Sequence, residues 1–504
     1  MNVARKFSAL LLGVAAAFCP YASGHAATPA GAGFFDCGGE LESRVWTLWD
    51  SHGVLLADDL LSERLRQQGD TYALYDFEIY FHNLLSMARR CGRLQRQRAI
   101  AALTAQAYAQ RSAIGPLASS PGWVCRGGRV CNRRNGLVGT EVMLPSVQFI
   151  AFAMNAASDL AQPGASAADM AFIAQTTRIA LEHLRRWDDE RSRLLLEQRI
   201  AARAADVKDG SSRLFLGDKD VWQIAIHAEV AGVLSRYPML LGKRLDDDDM
   251  AALRSRMVLL LRLFKRRTFS TGVEPGYSGS EETGAELDRG FWRLFPDNRY
   301  AGYEGAAAPV LCLPAQGATN ARGRLEVRMQ PPEPVRELGW DISHARRLVA
   351  LFDALQRNEA SVASFHGLPA GLLPSEKVFR AFARQLRARV WNQDAVHPLF
   401  SNYFGGTNGW YRVAYDNGAN GCTEGIRPSG LSGAFATGGY PLWGRWEPVL
   451  NDLARRIYTL SDSQEGSDAT LMAQAYPLLT NRASDEVRAR SELMFWPALV
   501  AAKP

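Results

Sequence analysis

An all-α fold is predicted by three observations on this 504-residue chain. Apolar residues recur at three- and four-residue spacing through most of it, and strand-like runs are few and short. The spacing between successive helical segments varies, with no repeated motif, which argues against a solenoid of equal units. The periodic segments cover 41–66, 72–93, 96–111, 141–161, 167–187, 219–236, 247–266, 343–358, 375–391, 445–460, 468–479 and 484–500. Start signals accompany several: Ser166 before 167–187, Asp341 before 343–358, and Ser375 with Glu376 at the next. The strand-like exceptions are RLFLG at 213–217 and LEVRM at 325–329. A chain this long strains a single solid core. Helical hairpins closed into a ring, an (α/α) toroid, solve that problem.

The first 26 residues read differently. Arg5 and Lys6 precede FSALLLGVAAAF, and YASGHA then offers Gly24 and Ala26. This is the pattern of a secretory signal peptide, with cleavage expected after Ala26. The rest of the chain, from residue 27, is expected to be exported as one toroid domain, with no later apolar run long enough to span a membrane. Six cysteines then enter an oxidising compartment. The pairs expected are Cys125–Cys131 across CRGGRVC, Cys37–Cys91 tying down the N-terminus, and Cys312–Cys422 joining two long loops.

Net charge is +6, of which Arg5 and Lys6 account for two. That is compatible with an anionic substrate, and no basic block points to nucleic acid. No zinc spacing, phosphate loop or GxSxG elbow is present, and no cofactor is implied. The aspartates at 246–249 suit a helix start. His227 is expected in the core and His183 on a polar helix face.

Two segments, 268–340 and 396–444, break the helical period. Both are rich in Trp, Tyr and Phe, so they read as ordered loops shaping a cleft rather than as disorder. Aromatic faces pair with sugar C–H surfaces, and amides and guanidinia with hydroxyls. On that composition Trp292, Trp340, Tyr303, Tyr403, Trp410, Trp443 and Arg427 are candidates for binding a polysaccharide or oligosaccharide.

The runs RYAGYEG at 299–305, WDISHARRL at 340–348 and NYFGGTNGWYR at 402–412 resemble the α/α-toroid carbohydrate-active enzymes. That group spans polysaccharide lyases, uronyl epimerases and six-hairpin glycosidases. The resemblance implies a catalytic Asn, His, Tyr and Arg, which fall here on Asn402 or Asn408, His344, Tyr411 and Arg412. β-Elimination next to a uronate carboxylate needs that carboxylate's charge neutralised, a base for the adjacent proton and an acid for the departing oxygen. Either His344 or Tyr411 would take the proton, with Asn402, Asn408 or Arg412 holding the carboxylate; with Asp341 as cap, His344 falls in a first helical turn, where imidazolium is disfavoured. A glycoside hydrolase would instead need two carboxylates, with Glu304 and Glu424 foremost and Glu281, Glu282 and Glu286 behind them. A non-catalytic glycan-binding protein would use the aromatic cleft alone.

Overall fold

The computed structural model describes residues 33–502, except 115–116, 134, 208–213, 274–281, 293–301, 304–313, 320–324, 328–334, 414, 417–421, 424, 464–465 and 482. The signal-peptide expectation therefore lies outside the described residues. The chain is predominantly helical, as its periodicity predicts. In chain order the main helices are α1 (Glu40–Leu48), α2 (Tyr72–Arg90), α3 (Leu94–Gln106), α4 (Met143–Leu160) and α5 (Ala167–Arg186). They continue with α6 (Asp218–Arg236), α7 (Asp247–Arg267), α8 (Arg347–Arg357), α9 (Val449–Leu460) and α10 (Asp485–Ala501).

Packing follows from which helices are apolar all round. In α4 and α6 nearly every residue is buried, the mark of a helix enclosed on all sides. α2 packs on α4, α4 on α6, α6 on α8, and α10 returns to α2. The gap between α8 and α10 is bridged by the short helices Gly433–Thr437 and Tyr440–Arg445. Against this set lie α1 on α10, α3 on α2 and α4, α5 on α4 and α6, α7 on α6, and α9 on α10.

Facing side chains give the helix directions. Near the starts of α4 and α2, Gln148 donates to Tyr75 O at 3.2 Å and Glu78 Oε2 at 2.6 Å. Near their ends Arg89 donates to Asn155 Oδ1 at 2.9 Å. Arg347, starting α8, donates to Tyr75 Oη at 3.0 Å and lies 3.6 Å from Asp218 at the start of α6. At the far end Arg357 reaches Asn155, Asp159 and Glu229. α2, α4, α6 and α8 thus run parallel, sharing a buried polar stripe and enclosing a cavity of about 20 Å³, room for one water. α10 joins them in direction, with Arg490 beside Tyr80 and Met494 O accepting from Asn83 at 2.6 Å.

Parallel helices gather their positive dipole ends on one side and their negative ends on the other. On the negative side four arginines converge on Asp353: Arg89 at 2.5 Å, Arg357 at 3.1 Å, Arg445 at 3.7 Å and Arg90 at 3.9 Å. Burial pushes the Asp353 carboxyl up, but the Arg89, Arg357 and Arg90 charges outweigh it and hold it well below the carboxylate range.

The structure departs from the sequence expectations at identifiable places. The segment expected as one helix over 41–66 is continuous from Glu40 to Gln68, but Trp49–Gly53 and Asp59–Gln68 are π-helical turns. Leu214–Gly217 is not a strand: Leu216 N is satisfied by Asp288 Oδ2 at 2.8 Å instead of a ladder partner. The helix Glu190–Ala201 was not foreseen, and part of the expected loop 268–340 is an antiparallel pair, Thr268–Val273 with Glu282–Leu287. His183 is not on a polar face. It is fully buried, stacked on Trp123 with ring centroids 5.3 Å apart, its Nδ1 donating to Ile179 O. The disulfides Cys37–Cys91 and Cys125–Cys131 are present as expected, while Cys312 and the Cys422 side chain fall outside the described residues.

His227 is in the core, as expected, beside His366 at 5.4 Å between ring centroids. Burial pushes both rings down, His366 to about 4 and His227 well below the usual imidazole range. Between those values and about pH 6.5 the unfolded chain binds protons that the folded chain does not, so stability falls as pH drops through that window. His227→Phe should therefore lose about 2 kcal/mol less than wild type between pH 7 and pH 5 in urea titrations.

Candidate functional site

The site lies at the positive dipole ends, where segment 340–345 meets segment 402–412. Asp341 caps the turn Ile342–Ala345, accepting from the backbone N–H of Ser343 at 2.9 Å and of His344 at 3.1 Å. The two segments are stitched through backbone bonds: Ile342 N donates to Asn402 O at 2.9 Å and Phe404 N to Trp340 O at 2.8 Å. Tyr411 is fixed from the other side by reciprocal bonds with Ile426. The result brings together residues 67 apart in sequence.

Asp341 Oδ2 lies 2.6 Å from His344 Nδ1, Tyr411 Oη lies 3.2 Å from the same nitrogen, and Arg412 Nε donates to Tyr411 Oη at 3.0 Å. Asp341 and Tyr411 are fully buried, His344 is 7 % exposed and Arg412 is half-buried. Burial pushes the His344 ring below the usual imidazole range, against the raising influence of Asp341. Burial raises Asp341, but the His344 and Ser343 donors outweigh it and hold the carboxyl well below its ordinary range. At neutral pH the pair is a carboxylate beside a neutral imidazole. The proton sits on Nδ1 toward Asp341, so the basic lone pair is on Nε2.

Arg412 adopts φ +56°, in the left-handed region that a non-glycine residue rarely occupies. Its guanidinium lies 5.2 Å from the Tyr411 ring centroid and 5.4 Å from that of Tyr415. Its Nε donation to the Tyr411 oxygen stabilises negative charge there. Trp292 sets its ring against His344 at 5.5 Å and against Trp340 at the same distance. Tyr403 meets the Tyr411 ring edge-on at 5.9 Å. Gly302 permits this, since a Cβ there would sit 2.7 Å from the Tyr403 ring. Gly302→Ala is expected to cost about 1–3 kcal/mol by this overlap, read as a lowered urea midpoint.

Other candidates have different surroundings. The Asn402 amide donates to Gly409 O at 2.9 Å and Arg427 O at 2.8 Å, and its Oδ1 accepts from Leu431 N at 3.0 Å. Asn408 is tied to Ser429 through both amide atoms. Both asparagines hold the loop in shape, which leaves Arg412 as the polar candidate from this loop beside His344 and Tyr411. Trp443 is fully buried against Phe352 and Tyr440, Trp410 is half-buried on a strand paired with Gly302–Tyr303, and Arg427 is exposed. Glu304, Glu424, Glu281 and the side chains of Tyr303 and Glu282 lie outside the described residues. Glu286 is buried behind Gly405, its Oε1 bonded to Arg289 at 2.5 Å.

Two residues of the site were not singled out from sequence. Arg347 is fully buried one turn beyond His344, and Tyr75 accepts its bond from α2. The arginine lay in plain view in WDISHARRL, but its neighbour came from a segment legible only as helix. Comparisons with family models, with curated proteins and with solved structures return no match for this chain.

Proposed function

We propose that this chain is an exported (α/α)-toroid enzyme that cleaves a uronate-containing polysaccharide by β-elimination. The toroid reading is supported by the circuit of parallel helices α2, α4, α6, α8 and α10, closed through 433–445, with further helices packed against it. Export is supported by the two disulfides. The observation that carries the reading is the cluster in which Asp341 and Tyr411 both meet His344 Nδ1 and Arg412 meets Tyr411, at the positive ends of those helices. A site so placed favours an anionic group.

In this reading Arg412 receives the uronate carboxylate and neutralises the charge that develops on it. His344 Nε2 takes the proton on the carbon next to the carboxylate, and Asp341 stabilises the imidazolium that results. The C–H electron pair becomes the ring double bond as the glycosidic C–O bond breaks. Tyr411 Oη delivers its proton to the departing oxygen, and Arg412 Nε offsets the charge left on the phenol. Incubation with acidic and neutral polysaccharides tests this. Ultraviolet absorbance of an unsaturated uronate should rise with new reducing ends on an acidic polymer alone; reducing ends without absorbance would reject elimination.

A further inference from the structure

The loop closed by Cys125–Cys131 has no role in the chemistry above, yet much local structure is spent on holding it. Its residues Gly127 and Gly128 press on the chain before α2: a Cβ on Gly128 would lie 2.5 Å from Asp70 Cβ, and one on Gly127 2.8 Å from Gln68 O. Gly128 also has φ +119°, a conformation that only glycine adopts readily. Arg126 N donates to Gly69 O at 2.9 Å, and the Arg126 guanidinium is spent on Arg66 O at 2.8 Å. Beyond Cys131, Asn132 and Asn135 bond reciprocally, each side-chain oxygen accepting from the other's N–H at 3.3 and 3.1 Å.

Among its described residues this framework buries few side chains, and it presents Arg129 and Arg133. Arg129 and Arg133 are exposed, and neither guanidinium has a hydrogen bond or ion pair among the described residues. Burial pushes the Asp76 carboxyl up against the opposing charges of Arg64 and, more weakly, Arg129, and it is Arg64 that Asp76 holds, at 2.6 Å. Arg64 also bonds Asp70 at 2.9 Å, so both of these carboxylates are already held by Arg64.

The loop is joined to the reaction centre by contiguous contacts. Cys131 Sγ lies 3.7 Å from Gly69 O, which leads through Asp70 into the first turn of α2. There the Tyr72 and Tyr75 rings stand 6.3 Å apart, and Tyr75 Oη takes the bond from Arg347, next to His344. Half-buried tyrosines between exposed arginines at one end and Arg412 at the other alternate apolar and cationic groups, which complements the apolar C–H faces and anionic groups along a chain of acidic sugars.

We propose that this loop is a second anchoring point for an acidic polysaccharide. Arg129 and Arg133 bind carboxylates or sulfates of sugar units remote from the bond that is cut, and Tyr72 and Tyr75 carry the units between. The inference rests on the acidic-polysaccharide reading and deepens it: the substrate is a polyanion several units long. Arg129→Ser/Arg133→Ser should show this in native gels cast with polygalacturonate, alginate or heparin, and with dextran as the neutral control. Polyanions should retard the wild type, less so as salt is raised, and the double variant should bind about tenfold more weakly with a flatter salt dependence. The double Arg→Lys variant should recover the salt dependence. If wild type and Ser variant are retarded equally, the loop proposal falls and the acidic reading stands. If dextran retards the wild type and no polyanion does, both fall.

Discussion

Tyr411→Phe should lower turnover by about two to four orders of magnitude while leaving the fold unchanged, because in the elimination proposed above it removes only the proton donor. In the same proposal His344→Ala removes the base and should match it. Both variants should still bind the polymer, since the anchoring groups remain. The double variant Tyr411→Phe/His344→Ala should lose little beyond either single one, because residues acting as a unit are not additive. Steady-state rates on the polymer identified by the absorbance assay, with affinity gels beside them, decide the matter. Turnover near wild type in both single variants would remove these residues from the mechanism. The acid limb of the wild-type rate profile should lie below about pH 6.5, since burial holds His344 neutral down to lower pH. Asp341→Asn should move that limb lower still, because the carboxylate's raising influence is gone.

The second large effect concerns the opposite end of the parallel helices. Arg357 donates to Asp353 at 3.1 Å, to Asn155 at 3.0 Å and to Glu229, and lies 3.5 Å from Asp159. It thereby joins α4, α6 and α8. Arg357→Met keeps volume and removes the charge, which leaves buried carboxylates under-compensated. The expected cost is about 3–5 kcal/mol, although Arg357 is itself 23 % exposed and the lower end of that range is favoured. Burial already raises the Asp159 and Glu229 carboxyls. Without Arg357 they rise further, so the folded variant holds protons that the unfolded chain releases, and its deficit should shrink from pH 7 to pH 5. Urea titrations at both values read this directly. A loss under about 1 kcal/mol would mean that the cluster does not tie these helices together.

Helix positions were legible because burial writes a periodic signal, as in 167–187, where the Ser166 cap bonds Asp169 N as its residue type predicts. The helix Glu190–Ala201 escaped because it buries little beyond Leu196 and Arg199, so its pattern is mostly polar. RLFLG looked like a strand because its apolar residues are anchors: Leu216 is fully buried and Phe215 packs on Trp292 at 5.9 Å. His183 is buried by Trp123 and Glu141, which come from a remote segment that its own helical pattern does not encode. At the site, residue types were legible and their pairing was not. His344 and Tyr411 meet through loop stitching that no local period encodes, and the same loop uses Asn402 and Asn408 for its own shape.

Product mass tests the central claim most directly. The chain should be incubated with the polysaccharide on which the absorbance assay responds, and the shortest products examined by mass spectrometry. Elimination through His344 and Tyr411 predicts that every product carrying a newly formed non-reducing end is unsaturated there and lighter by one water than the corresponding hydrolysis product. Full mass in the products that carry a newly formed non-reducing end would contradict it.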